Sequence, residues 1–164
     1  MTRILPIALA LVLAGCGFHL RGQQQLPFKT LYVPGGSGLS LELKRNLAAQ
    51  ARGTQLVDET KNADAVLTFT SQRTEKVILS FDTAGRVREY QLRYTVGFRL
   101  TDAKGLVYIP TNEIRLTRDI SFNDAQVLAK EAEEAQLYRD MQSDMVQQLL
   151  RRIAAAKTAK PDLE

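Results

Sequence analysis

Cys16 is the single cysteine of this 164-residue chain, His19 is its single histidine, and tryptophan is absent. One thiol cannot close an internal disulfide, and one thiol with one imidazole cannot complete a zinc site built from such ligands. The sequence has no Gly-x-Ser-x-Gly turn, no phosphate loop ending in Gly-Lys-Ser/Thr and no His-Glu-x-x-His pair. His19 stands three residues after Cys16, a poor place for a general base, and the 18 acidic residues are scattered with no pair that stands out. Gly35-Gly36-Ser37-Gly38 precedes a helical pattern, where backbone N–H groups can cradle a phosphate. It lacks the lysine and the spacing of a phosphate loop, so it reads as a flexible turn. No enzyme, metal site or cofactor is expected. Two chemistries remain: acylation of one thiol, and recognition of anions by basic side chains.

The thiol sits in a telling context. Arg3 supplies a positive start, and Ile4 to Leu13 is an uncharged, mostly apolar run of ten residues. As a helix that run rises about 15 Å, half of a hydrocarbon core of about 30 Å, so it matches an export signal rather than a membrane span. Leu13-Ala14-Gly15-Cys16 resembles the bacterial lipobox, in which the chain is cut before the cysteine and the thiol accepts diacylglycerol. Small residues before the cut fit a peptidase site. Each buried methylene contributes about 0.8 kcal/mol, so the three chains of an N-acyl S-diacylglyceryl cysteine hold almost permanently. Gly17 in the following position favours the outer membrane by resemblance to lipoprotein sorting rules. The expected organisation is a removed signal over residues 1–15, a lipidated N-terminus and linker over 16–28, one periplasmic domain over 29–156 and a disordered tail over 157–164. Residues 16–164 keep a formal charge one unit below the +4 of the whole chain. That mild excess suits anionic partners without pointing to nucleic acid.

The basic residues need elements to present them. With 45% hydrophobic and 24% charged residues, the chain reads as one globular domain with a core of its own. Leu31-Tyr32-Val33 predicts a brief strand, and Ser40 predicts the cap of a helix running to Arg52 with Leu39, Leu43 and Leu47 on one face. Three long strand patterns follow. Across 65–81, Leu67, Phe69, Val77, Leu79 and Phe81 share odd parity, with a polar middle, Ser71 to Glu75, that predicts a bulge or a projecting edge. Across 87–101, Tyr90, Leu92, Tyr94, Val96, Phe98 and Leu100 face one side. Ile114, Leu116, Ile120 and Phe122 do so across 113–122. Asp82-Thr83-Ala84-Gly85 and Asp102-Ala103-Lys104-Gly105 turn the chain between them.

A last helix is expected over about 124–156, opened by Asn123 in an Asn-x-x-Gln capping box. Its apolar stripe is Leu128, Ala132, Ala135, Tyr138, Met145, Val146, Leu149 and Ile153. The parts predict an α+β two-layer sandwich, two helices on one face of a mostly antiparallel sheet of about four strands, with the other face open. By parity Arg93, Arg99 and Arg115 lie on that open face. Arg86 and Arg88 flank the first hairpin, and Lys130 sits early in the last helix. Arginine forks suit phosphate oxygens, and lipid A phosphates are the obvious anions at an outer membrane.

The order of these motifs resembles a known family. Cys16-Gly17-Phe18-His19-Leu20-Arg21, then Arg88-Glu89-Tyr90-Gln91-Leu92, then Leu128-Ala129-Lys130 with Glu133-Glu134 resemble the lipopolysaccharide-assembly lipoproteins of the LptE family. The resemblance implies a plug and assembly partner, one to one, for the outer-membrane β-barrel LptD, anchored on the periplasmic side. It also implies lipopolysaccharide binding through the lysine of Leu-Ala-Lys, here Lys130, and through a basic residue in the hairpin before Glu-Tyr-Gln. That hairpin turn holds Asp82-Thr83-Ala84-Gly85, so Arg86 and Arg88 are the nearest substitutes, and Arg93 follows on the strand. A generic envelope lipoprotein that binds peptidoglycan or another envelope protein is the competing reading.

Overall fold

The structure, a computed structural model, describes residues 25–156 apart from Arg52. Cys16, His19, the apolar leader and the 157–164 tail lie outside the described residues. Period-two alternation builds the centre of the sheet. Strands β3 (Ala65–Phe81), β4 (Val87–Thr101) and β5 (Val107–Ser121) form an antiparallel meander. Beside β3 runs β1 (Thr30–Tyr32), parallel to it, and beside β1 runs β2 (Gln55–Val57), parallel again. Helix α1 (Gly38–Gln50) makes the crossover from β1 to β2, and α2 (Val127–Ala154) follows β5. The α+β sandwich with both helices on one face is therefore the architecture found. Its sheet has five strands, in the order β2-β1-β3-β4-β5, instead of about four. Gln55-Leu56-Val57 has no alternation to announce it, and pairing with β1 alone makes it a strand.

One core joins the layers. Leu92, Val96, Phe98 and Leu100 of β4 are buried against Leu39, Leu43 and Leu47 of α1 and Met141, Met145, Leu149 and Ile153 of α2. Each such side chain contributes about 1.5–3 kcal/mol by leaving water. Polar bonds tie the helices together above it: Gln142 donates to Glu42 at 2.7 Å, Ser143 to the same carboxylate at 2.7 Å, and Gln147 to Asn46 at 3.0 Å.

Several local expectations are corrected. Ser37, not Ser40, caps α1, because its hydroxyl accepts the Ser40 N–H at 3.2 Å while Ser40 itself is buried inside the first turn. Helix α1 ends at Gln50, short of Arg52. Strand β5 starts at Val107, six residues before the expected Glu113. Asn123 does cap the last helical segment, accepting from Ala125 N at 3.0 Å, but it opens a 3-10 turn, Asp124–Gln126, before α2 begins. The stripe on α2 is buried only from Met141 onward. Ala132 and Ala135 are exposed and Leu128 is 82% exposed, because the first turns of α2 reach past the apolar core.

The parity of β3 is corrected as well. Phe69 pairs with Phe98 and Ser71 with Gly97, so Thr70 is an extra residue in β3, a bulge in the polar stretch where one was expected. It reverses which face the residues from Gln72 to Ile78 take, up to a second irregularity at Leu79. Leu67 faces the core, but Gln72, Thr74, Lys76 and Ile78 are then the residues level with Val96, Tyr94, Leu92 and Tyr90. Val77 is level with Gln91 on the opposite face, and Val77, Leu79 and Phe81 are all exposed.

Gly97 makes room for this bulge. A Cβ there would sit 2.5 Å from Thr70 Oγ1 and 2.6 Å from Ser71 Oγ, both on short side chains of a paired strand. Gly97→Ala is expected to cost about 1–3 kcal/mol, read as a lowered urea midpoint with little change in slope. Tyr94 gives a second prediction. Burial pushes its phenol up to about 12; the 2.9 Å bond from the Gln72 amide opposes that rise and the nearby Glu42 charge adds to it. An unfolded tyrosine loses its proton near pH 10, so this contribution to stability is intact below that pH and declines as pH rises toward 12. Denaturant titrations across that window should show a smaller alkaline loss for Tyr94→Phe than for the unaltered protein.

Candidate functional site

The basic side chains distribute over two faces. On the open face of the sheet, Arg93 is level with Thr117 and Arg115 with Thr95 in the register, and Arg99 faces the same way. These charges are largely engaged with each other's neighbours. Arg93 Nε donates to Gln91 Oε1 at 2.9 Å, while Arg115 and Arg73 both meet Glu113, at 3.1 and 3.6 Å. Gln91 in turn donates to Asp119 at 3.1 Å. The result is a broad polar surface of alternating sign, under which Thr95 is buried.

At the far end of the β3–β4 hairpin the turn is held by one carboxylate. Asp82 Oδ1 accepts from Ala84 N at 2.8 Å and Arg86 N at 2.9 Å, and Oδ2 accepts from Arg86 Nε at 2.9 Å. Gly85, at φ 76°, takes the left-handed position this turn requires. The backbone N–H of Arg86 is the largest cause holding the Asp82 carboxyl below its ordinary range. Arg86 thus folds back on its own turn. Together with Arg88, Val87, Phe122 and Asn123 it lines an open cavity of about 460 Å³.

Lys130 lies next door. Its Nζ is 3.0 Å from Ser121 Oγ and 2.9 Å from Glu133 Oε2, and its side chain is only 17% exposed. It lines a crevice of about 210 Å³ between the first turns of α2 and strands β3 to β5. A second lysine shares that crevice. Lys76 Nζ is 2.6 Å from Glu134 Oε2 and 4.3 Å from the centre of the Tyr90 ring, which meets Phe122 edge-on at 5.4 Å. Phe122 walls both the crevice and the hairpin cavity, so Lys130, Arg86 and Arg88 belong to one end of the molecule. Arg93 does not; the sheet separates it from them. Lys76 escaped the sequence reading because it faces α2 only through the bulge at Thr70, which no parity count shows. Exposed Ile78, Leu79, Phe81, Val127 and Leu128 make the same end greasy as well as basic.

Among the described residues no group of three acidic, cysteine or histidine side chains could hold a metal ion, and no helix is long and apolar enough to cross a membrane. Anion recognition is the chemistry this end supports: two lysines and two arginines beside an apolar rim.

The comparisons with known proteins bear on the whole chain. The LPS-assembly lipoprotein LptE of Photorhabdus laumondii is 30% identical over 98% of this chain and 88% of its own length. A lipoprotein B from Nitrosomonas europaea, solved by solution NMR, is 43% identical with a TM-score of 0.73, covering 85% of this chain and 91% of its own. The crystal structure of a minor lipoprotein from Acinetobacter baumannii matches with a TM-score of 0.62 at 26% identity, over 85% of this chain and 98% of that one. The family model for lipopolysaccharide assembly matches residues 28–153, which is nearly all of the sheet and both helices, and the chain therefore belongs to the LptE family.

Proposed function

We propose that this lipopolysaccharide-assembly lipoprotein is anchored through lipidated Cys16 on the periplasmic side of the outer membrane. There it seats inside the β-barrel LptD as a one-to-one plug and assembly partner. The observation that carries this reading is the open face of the long meander. Three strands of 15 to 17 residues present one face to two helices and leave the other bare, covered by Arg73, Arg93, Arg115, Glu113 and Asp119. The lumen of a large outer-membrane barrel is polar, so a wedge with such a face can fill it without burying unpaired apolar surface. The named relatives, LPS-assembly lipoproteins, support the same machinery.

Within that assembly, Lys130 with Arg86 and Arg88 is proposed to contact lipopolysaccharide phosphates, while Arg93 can do so only at a second place across the sheet. Solubilising native membranes in mild detergent and isolating the protein should recover a stable one-to-one complex with the barrel. Recovery of monomer alone, or of cell-wall fragments, would instead support the generic envelope lipoprotein. In the same preparation Lys130→Glu should weaken binding of purified lipopolysaccharide about tenfold or more while the complex with the barrel persists.

A further inference from the structure

The first turns of α2 are attached to the sheet in an unusual way. From Val127 to Gln136 no residue is buried. What holds this stretch down is polar: Lys76 to Glu134 at 2.6 Å, Lys130 to Ser121 at 3.0 Å, and just beyond it the Tyr138 hydroxyl donating to Glu75 O at 2.8 Å. Segments fixed by few apolar contacts are the ones that open locally at low cost. Lys76, on the sheet beneath, is paired with Glu134 of α2, and Lys130, within the stretch itself, is paired with Glu133 one turn further on. Both carboxylates therefore occupy places an incoming anion would take.

We propose that this stretch is a cover latched by Glu134 on Lys76, and that the crevice between Lys76 on the sheet and Lys130 on the cover is a two-lysine site for a phosphorylated amphiphile. Its phosphates replace Glu134 at Lys76 and Glu133 at Lys130. A phosphate carries more charge and more acceptor oxygens than the carboxylate it displaces, so the exchange favours the ligand. Lys76 needs no new position for this, because its ammonium already rests over the Tyr90 ring, which keeps part of its charge compensated while the latch is open. The exposed rim of Ile78, Val127 and Leu128 beside the crevice provides the landing for acyl chains, which a free inorganic anion would not use. The proposal rests on the lipopolysaccharide contact proposed above and adds to it a second anchor, Lys76, and a built-in competitor.

The test uses the full-length lipoprotein in detergent, titrated with a diphosphorylated glycolipid, with the same glycolipid after phosphate removal, and with inorganic pyrophosphate. Lys76→Met should weaken binding of the diphosphorylated glycolipid about tenfold, and Glu134→Gln should tighten it about threefold, with thermal melts reporting that both variants fold. The two opposite directions are the signature. If the unaltered protein binds the glycolipid and both variants match it, the latch is wrong while the lipopolysaccharide contact stands. Tightening absent from Glu134→Gln, or weaker binding by it, also overturns the latch. If neither the unaltered protein nor Glu134→Gln binds the glycolipid, the contact and the latch fall together. Equal affinity for pyrophosphate, or for the glycolipid without phosphate, overturns the assignment to a phosphorylated amphiphile.

Discussion

Where β3 passes Gly97 it carries one residue more than its neighbour, and that extra residue, Thr70, sets the orientation of the strand from Gln72 to Ile78. Without it, Val77 would point toward the helices and Lys76 away from them. With it, a lysine enters the layer between sheet and helix exactly where the apolar core runs out, and a valine is left facing water. The glycine is the steric permission for this. A side chain at 97 would collide with two hydroxyls whose strand is pinned on both sides of the bulge, so the local geometry cannot relax cheaply.

The consequence is a molecule with three distinct surfaces. One sheet face is sealed by α1 and by the second half of α2 around a single apolar core. The other face is wet along its whole length, with charges of both signs that neutralise one another in the register. The hairpin end combines cations with exposed apolar side chains, Phe81 at 59% and Leu128 at 82% among them. Because the core does not extend to that end, the start of α2 is attached there by ion pairs and hydrogen bonds. Such contacts are worth little individually when partly exposed, and they exchange partners more readily than packed side chains do.

This division fits what the assembly of an amphiphilic lipid demands. In the seating proposed above, the polar face rests against a polar barrel wall permanently, whereas the lipid is met and then released. Paired charges suit the second task, since each cation keeps an internal partner to return to. The strong burial of Met141 to Ile153 anchors the helix, so opening at its start need not disturb the fold.

The three alternating strands, the two hairpin turns and the leucine stripe of α1 were legible in the residues, because period and turn chemistry act over a few neighbours. So was the family, through the order of its short motifs. The three-residue strand β2 was not legible, since three residues without alternation become a strand only when β1 supplies a partner. Neither was the exposure of Leu128, whose spacing fits the helical stripe while the sheet beneath it ends too soon. Lys76 shows the limit most plainly. Its place beside Lys130 depends on a register between strands, and register is a pairing of distant residues that only the folded sheet, with its bulge against Gly97, decides.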